Sequence, residues 1–516
     1  MMNVGAIPAK WARLARGREA VIDASSGRRT TFGQLEERVR RLGSALRGRL
    51  GLSSGDRVAV LSRNSVEFLE VYFAAGQRRL IVQPLNWRLG VPEMAKIVRG
   101  AAPRALIFAH ELENEAAELR RQVEVEHWIE YGGGERGYEA LIARGSDAAC
   151  VERVSDDDPL LILYTGGTTG ESKGALHTHG SASMAMLNQT VAERIVPSDV
   201  YMLTGQMFHI PVLLAINYLA HGCPLVLMNF EARLALELIE RERVSAFLGI
   251  TTMLNWMLAE PSFARFDLSS LRNVQYGGGP MPASVVEAAL ASLPCTLIQG
   301  YGQTEGGTMT FLSQEDHRDA VRGVHPERLR SCGREGFVTT ISVADADGRD
   351  VPRDGTTLGE IVVRSPANMR EYWGRPDLTS ATLRDEGMRT GDIATWDADG
   401  YVFIVDRAKD MIITGGENVY SVQVEAAVQR HPAVLEVAVI GVPDDIWGEA
   451  VKAVVVLKPG MQASAQEIID TAKQQLASYQ KPKSVDFVAA LPKAPTGKIL
   501  KRELRAPYWQ GRERQV

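Results

Sequence analysis

The sequence predicts an α/β protein: a large N-terminal domain of α/β layered sheets with a β-barrel-like subdomain, then a small α+β C-terminal domain. Three observations carry that expectation. Short apolar runs alternate with helical patterns over the first part of the chain, which marks largely parallel sheets. From about residue 335 the runs shorten and are separated by Asp-Gly turns, which marks hairpins. A chain of 516 residues also exceeds one compact core, since cores stop growing near ~250–300 residues.

Thr31 is followed three residues later by Gln34, a capping box. Phe32, Leu35, Val39, Leu42 and Leu46 then recur at helical spacing, so an amphipathic helix follows. Buried strands are expected at RVAVLS (57–62), ALIFA (105–109), PLLILYT (159–165), PLVLM (224–228), SAFLGI (245–250) and NVQYGG (273–278). The most apolar stretch, 207–228, is broken by His209, Pro211, Asn217, His221, Gly222 and Pro224. It reads as a buried helix and strand, not a membrane span. The segments TTISVADADG, LGEIVVRSP and GYVFIVDR form the antiparallel, barrel-like part of a first domain, 1–405. A second domain, 406–516, carries a helix at 421–430, strands at 437–442 and 452–457, and an amphipathic helix at 465–477.

Composition narrows the function. At 45% hydrophobic and 23% charged residues, with net charge −5, the chain reads as an ordinary soluble protein. It has no basic stripe for nucleic acid, so a polyanionic substrate must be held by backbone dipoles and a few placed cations. Cys150, Cys223, Cys295 and Cys332 are too scattered for a zinc site or a disulfide framework, which fits a reducing cytoplasm. The N-terminal segment lacks the apolar core of a signal peptide. No coiled-coil pattern or repeat fixes an oligomeric state, and a homo-oligomer stays open.

The segment Tyr164-Thr165-Gly166-Gly167-Thr168-Thr169-Gly170-Glu171-Ser172-Lys173-Gly174 follows the apolar strand LLIL. Glycines let backbone N–H groups turn toward an anion, the threonine hydroxyls add donors, and Lys173 supplies a point charge. A polyphosphate-binding loop follows from that pattern; the bland alternative is an exposed flexible loop. It is not a Walker loop, because Lys173 precedes Gly174 instead of Ser or Thr. Gly132-Gly133-Gly134-Glu135-Arg136-Gly137 also satisfies GxGxxG, but no convincing acidic ribose partner follows about twenty residues on, so it reads as a surface turn.

Further motifs follow in order: GGGP (277–280), GYGQTE (300–305), RTGD (389–392), DRAKDMIITGGENVY (406–420) and PKAPTGK (492–498). With the glycine-rich loop, this ordered set resembles the superfamily of acyl-adenylate-forming enzymes, which includes acyl-CoA synthetases, nonribosomal-peptide adenylation domains and beetle luciferases. The resemblance covers nearly the whole chain and leans to the acyl-CoA synthetase branch, with a C-terminal domain that moves.

The resemblance implies that Thr165, Gly166, Gly167, Thr168, Thr169, Gly170 and Lys173 hold ATP phosphates. It sets Gly277, Gly278 and Gly279 beside adenine and substrate, Tyr301 against the adenine ring, Gly302 in the ATP site, and Thr304 at the α-phosphate. Glu305 holds Mg²⁺, which bridges carboxylate and phosphates that would otherwise repel. Asp392 binds the ribose hydroxyls with Arg407 as partner, and Lys498 meets the carboxylate and α-phosphate during adenylation. His209, Gly279, Gly302 and Gly306 belong to the acyl pocket, Lys409 is the hinge, and Gly415 and Gly416 line a CoA tunnel. Trp447 is a contact for the nucleotide end of CoA or, equally, a core or interface residue. Read alone, Thr304-Glu305 is an ordinary helix start, the glycines a tight turn, Asp392 a turn cap, His209 a packed histidine and Lys498 a solvated lysine.

The implied activity is ATP-dependent ligation of a carboxylic acid to coenzyme A through acyl-AMP. Small residues and the lack of a buried cation around Met207–Asn217, Thr251–Trp256, Gly277–Gly279 and Gly302–Met309 suggest an apolar, fatty or aryl acid. Delivery to a carrier-protein phosphopantetheine is an alternative, as are a luciferase-like oxygenase and a non-catalytic nucleotide-binding scaffold. Departures from the family pattern are few. Gly166 stands where relatives commonly have Ser or Thr, Ser172 and Ser421 where they have Pro, and Asp406 where they have Gly. None removes a charged catalytic group.

Overall fold

The computed structural model describes residues 3–132, 134–148, 151–165, 172–279, 281–407, 410–415, 417–444, 446–493 and 499–510. Gly166, Gly167, Thr168, Thr169, Gly170, Lys409, Gly416 and Lys498 lie outside the described residues. The chain packs as two compact units. The first takes the chain up to Thr165, then Ser172–Ile341 and Val363–Met388; the second takes Ser342–Val362 and everything from Arg389. The 405/406 position falls inside the strand Val402–Arg407, which pairs antiparallel with Gly387–Trp396.

The first unit is built on two large sheets, as the runs of Val, Ile and Leu require, since a strand buried on both faces reads as continuously apolar. One has seven strands in the order Glu371–Tyr372, Lys173–Thr178, Pro159–Thr165, Ile81–Pro84, Arg57–Leu61, Ala105–Phe108 and His127–Glu130. From Pro159–Thr165 outward to His127–Glu130 the pairings are parallel, and the two strands at the other end run antiparallel. The other has nine strands and passes through Ala246–Leu248, Asn273–Gly277, Thr296–Gln303 and Gly307–Leu312. The first three of these run parallel, and Gly307–Leu312 turns back antiparallel.

Helices close over these sheets. Phe32–Gly48 begins with both halves of the capping box: Gln34 N donates to Thr31 Oγ1 (3.3 Å) and Thr31 N donates to Gln34 Oε1 (2.8 Å). Its Phe32, Leu35, Val39, Leu42 and Leu46 are fully buried in the main core. The apolar stretch at 207–228 resolves into the buried helix Pro211–Ala220 and the strand Leu225–Leu227. Among the described residues no helix is long and apolar enough to cross a membrane.

In the second unit, Val434–Asp444 and Gly448–Leu457 form a long antiparallel pair. Ile412–Thr414 and Ser484–Phe487 also pair with Gly448–Leu457, the latter in parallel. The helices Ser421–Val428 and Ala465–Lys473 supply Val424, Val428 and Ile468 to a core shared with Ile412, Val439 and Val455. A further sheet contains Thr340–Ala344, Gly359–Arg364, Gly387–Trp396 and Val402–Arg407.

Candidate active site

Two hairpins of the first unit carry the candidate site. In the first, Pro159–Thr165 pairs with Lys173–Thr178, and Thr165 opposite Lys173 is the last rung before the glycine-rich loop. Alternate residues of a strand face one side, so Lys173, Ala175 and His177 share a face. In the second hairpin, Thr296–Gln303 pairs with Gly307–Leu312, and Thr304, Glu305 and Gly306 make the connection. Glycines set how tightly that connection closes. A Cβ on Gly302 would stand 1.9 Å from the Gly307 carbonyl oxygen, and one on Gly306 would meet Met388 and Met309 at 2.8 and 2.9 Å. Gly278 takes φ +78, and a Cβ on Gly278 or Gly279 would face open space.

Histidine 177 ties the hairpins together. Its Nε2 lies 2.7 Å from the Thr304 carbonyl oxygen, which fixes the proton on Nε2 and leaves Nδ1 toward Ser181 Oγ at 3.3 Å. Burial pushes its pKa below the ordinary histidine value, against the pull of the Thr304 carbonyl, so the ring is a neutral donor. Glu305 is held twice by the segment that pairs with the Lys173 strand. Met369 N donates to the Glu305 carbonyl oxygen (2.6 Å), and Tyr372 OH donates to Glu305 Oε1 (2.6 Å). The Lys173 ammonium lies 5.3 Å from the centre of the Tyr372 ring. Burial first, and then the Glu305 charge, raise the Tyr372 pKa, so the hydroxyl keeps its proton and donates.

The Glu305 surroundings fit a magnesium ion. Oε2 has no hydrogen-bond donor among the described residues, and no trio of metal-ligating side chains includes Glu305 there. An ion on this carboxylate would be completed by phosphate oxygens and water, the usual habit of Mg²⁺. His209 is half-buried; burial lowers its pKa, with the Glu305 charge opposing. Its Nδ1 is buried with no hydrogen-bond partner among the described residues.

The structure therefore brings Thr165, Lys173, Thr304, Glu305, Gly302 and Gly306 onto two linked hairpins. Tyr301 is half-buried on the second of them, beside a bulge at Gly302. Gly277 pairs with Gly300 one strand away.

Asp392 and Arg407 belong to the second unit. They are cross-strand partners, with Arg407 Nε 3.0 Å from Asp392 Oδ1 and Asp392 only 3% exposed. The RTGD segment is pinned by Glu360, which accepts from Arg389 Nη1 (2.8 Å) and Gly391 N (2.9 Å). Gly415 packs under Trp447: its N–H donates to the Trp447 carbonyl (2.7 Å), and a Cβ there would stand 2.5 Å from the indole. Trp447 is half-exposed with Lys483 4.9 Å from its ring centre.

Sequence reasoning missed His177 and Tyr372. Their only signal was indirect: His177 stands at the same strand parity as Lys173, and Tyr372 opens no motif of its own. It also missed a buried network that follows Arg407. Asp406 accepts from Arg407 N (2.7 Å), from Ser421 N and from Ser421 Oγ (2.7 Å), while Lys501 Nζ donates to Ser421 Oγ and pairs with Glu425 (2.8 Å).

Comparison with known proteins agrees along the chain. A family model for the AMP-binding enzyme matches residues 8–373, and one for the AMP-binding enzyme C-terminal domain matches 423–498. A feruloyl-CoA synthase of Amycolatopsis sp is 36% identical over 509 residues, covering 98% of this chain and 99% of the relative. The long-chain-fatty-acid–CoA ligase FadD13 of Mycobacterium tuberculosis is 36% identical over 516 residues, with 98% and 99% covered. The fatty acid–[acyl-carrier-protein] ligase ScoC of Streptomyces coeruleorubidus is 35% identical over 499 residues, with 95% and 94% covered. Among solved structures, a Mycobacterium tuberculosis fatty acyl CoA synthetase superposes with a TM-score of 0.79 at 34% identity, covering 98% of both chains.

Proposed function

The chain belongs to the AMP-binding enzyme family, and from that membership we propose that it is an AMP-forming acyl-CoA synthetase, an acid–thiol ligase that uses ATP and CoA. The observation that carries the reading is the juxtaposition of a phosphate-binding cation and a metal-binding carboxylate. Lys173 and Glu305 stand on opposite parts of Tyr372, and neither forms an ion pair with the other among the described residues.

The reaction has two steps. A carboxylate oxygen of the acid attacks the α-phosphorus of ATP, and the bond to pyrophosphate breaks, leaving acyl-AMP. The CoA thiol, losing its proton, then attacks the acyl carbon, and AMP departs with the bridging oxygen and the electron pair of the broken acyl carbon–oxygen bond. In the first step Lys173 and the glycine-rich loop hold the β- and γ-phosphates, Thr304 meets the α-phosphate, and Lys498 balances charge on the transferring oxygens. Bound at Glu305, Mg²⁺ would neutralise phosphate charge. Asp392, held by Arg407, accepts from the ribose hydroxyls; Tyr301 and Gly277–Gly279 flank the adenine.

Lys498 serves only the first step, so a C-terminal domain turning about Lys409 withdraws it for the second. Gly415, Gly416 and Trp447 then line the path of CoA. Gly415 and Trp447 stand together, with no room for a Cβ between the Gly415 backbone and the indole. The acyl group lies near His209, Gly279, Gly302 and Gly306. A fatty or aryl acid is the substrate class, supported by relatives named for feruloyl and long-chain fatty acyl substrates. The carrier-protein alternative keeps one specific support, the relative ScoC. Free thiols at Cys223 and Cys295 support a cytoplasmic setting.

The test is a panel of short, medium, long-chain and aryl acids with MgATP, each with and without CoA, read by mass spectrometry for acyl-AMP, AMP and acyl-CoA. Acyl-CoA from one class of acids is expected. Acyl-AMP that accumulates and ignores CoA would shift the reading to a carrier-protein ligase, and no AMP with any acid would favour a nucleotide-binding scaffold.

A further inference from the structure

We propose that Tyr372 is a positioning residue that keeps the Lys173 ammonium and the Glu305 carboxylate from pairing with each other, so that both stay available to MgATP; this rests on the adenylating reading above. An ammonium and a carboxylate that both meet one tyrosine side chain attract each other. A direct pair would have to be broken before phosphate and metal could bind. Tyr372 gives each charge a weaker substitute: the carboxylate accepts its hydroxyl at 2.6 Å, and the ammonium lies over its ring, 5.3 Å from the centre.

The mounting is rigid enough for that role. Tyr372 is 5% exposed, its N–H donates to Thr379 Oγ1 (3.0 Å), and it packs with Ala175, Met369, Leu378 and Leu383. Its backbone pairs with Ala175, two residues along the strand from Lys173. The same short segment grips Glu305 a second time through Met369 N at 2.6 Å. Lys173 and Glu305 are thus both referenced to one strand pair, the first at the Tyr372 ring and the second at its hydroxyl.

Tyr372→Phe separates the roles, because it keeps the ring and removes only the hydroxyl. Direct titration of the full chain with MgATP, by calorimetry or a fluorescent ATP analogue, should show binding weakened by about 10-fold, the size of losing one hydrogen bond to a charged group. Thioester formation from supplied acyl-AMP should change less than about 2-fold, since that half-reaction needs no triphosphate. The decisive comparison repeats the substitution in a Lys173→Met background, where no pair can form; there the penalty should shrink below about 2-fold. Tyr372→Phe binding MgATP as the wild type does would overturn the proposal. So would an equal penalty in both backgrounds, which would reduce Tyr372 to orienting Glu305 alone. A wild-type chain that binds no MgATP would bring down the adenylating reading and this inference with it. Wild-type binding with an unaffected Tyr372→Phe variant removes only the inference.

Discussion

Ser421→Pro should destabilise the second unit strongly, although proline is well suited to the backbone there. Ser421 is the first residue of the helix Ser421–Val428, a position whose N–H has no partner within a helix and whose φ suits proline. Here that N–H donates to Asp406, and the Ser421 hydroxyl donates to the same carboxylate at 2.7 Å. Ser421 is 0% and Asp406 3% exposed, so water cannot replace what is lost. Proline removes both donors and leaves Arg407 N as the remaining one among the described residues, and Lys501 loses its hydroxyl acceptor. Hydrogen bonds to a charged group contribute roughly 1.5–3 kcal/mol each, so the loss should be about 3–5 kcal/mol. The double variant Asp406→Gly/Ser421→Pro carries the residues that the family resemblance leads one to expect at the two positions. It removes the stranded carboxylate as well, and should recover about 2–3 kcal/mol relative to the sum of the single changes. Thermal unfolding of the full chain, followed through tryptophan fluorescence, should show one transition about 10 °C lower for Ser421→Pro and largely restored in the double variant. A single variant melting within about 2 °C of the wild type, or a strictly additive pair, would refute the argument that Asp406 depends on Ser421.

Lys498→Ala should cut acyl-AMP formation by about 10²–10³-fold while largely sparing CoA attack on supplied acyl-AMP; equal loss in both half-reactions contradicts its assigned role. Lys409→Pro should do the reverse, slowing thioester formation while pyrophosphate release continues, and unchanged rates for both steps would place the hinge elsewhere. Gly302→Ala puts a Cβ 1.9 Å from the Gly307 carbonyl, a backbone atom that cannot step aside. A loss of about 1–3 kcal/mol is expected, with pyrophosphate release falling further because Thr304 and Glu305 ride on that turn. His317 links stability to pH. Burial pushes its pKa down to about 4, and both ring nitrogens are used, Nδ1 toward the Ser313 carbonyl and Nε2 toward Tyr276 OH. The unfolded chain takes up the proton more readily, so this contribution is present above about pH 6.5 and lost as pH falls toward 4, at about 1.4 kcal/mol per unit. Urea titrations at stepped pH should show that slope reduced in His317→Gln; an unchanged slope would show that other groups carry the acid sensitivity.

Local signals in the sequence were legible because the physics behind them is local. The Thr31–Gln34 box formed both of its bonds, and PLLILYT formed a strand over its full length. Gly132–Gly137 shows why a glycine pattern needs its context. Gly134–Arg136 is an exposed single turn of 3-10 helix, with no role in holding phosphate required to explain its glycines. What stayed hidden depends on register between distant segments. His177 reads as one more histidine until the Lys173 strand is set against the Thr304 turn. Tyr372 acquires a role only when its short strand pairs with Ala175. Asp406 and Ser421 were visible as two separate departures from the family pattern, and only the fold shows that they are partners.

The two-residue repeat of the strand Lys173–Thr178 bears on how this chain can drift over generations. Codons gained or lost between Thr165 and Lys173 leave the pairing of those two residues as it is, though they alter the segment proposed to hold phosphate. A single codon inserted between Lys173 and His177 is another matter. It would turn either the ammonium or the imidazole to the opposite side of the sheet, parting the residue over Tyr372 from the one bound to Thr304. Length variation in descendants should therefore be absent between Lys173 and His177.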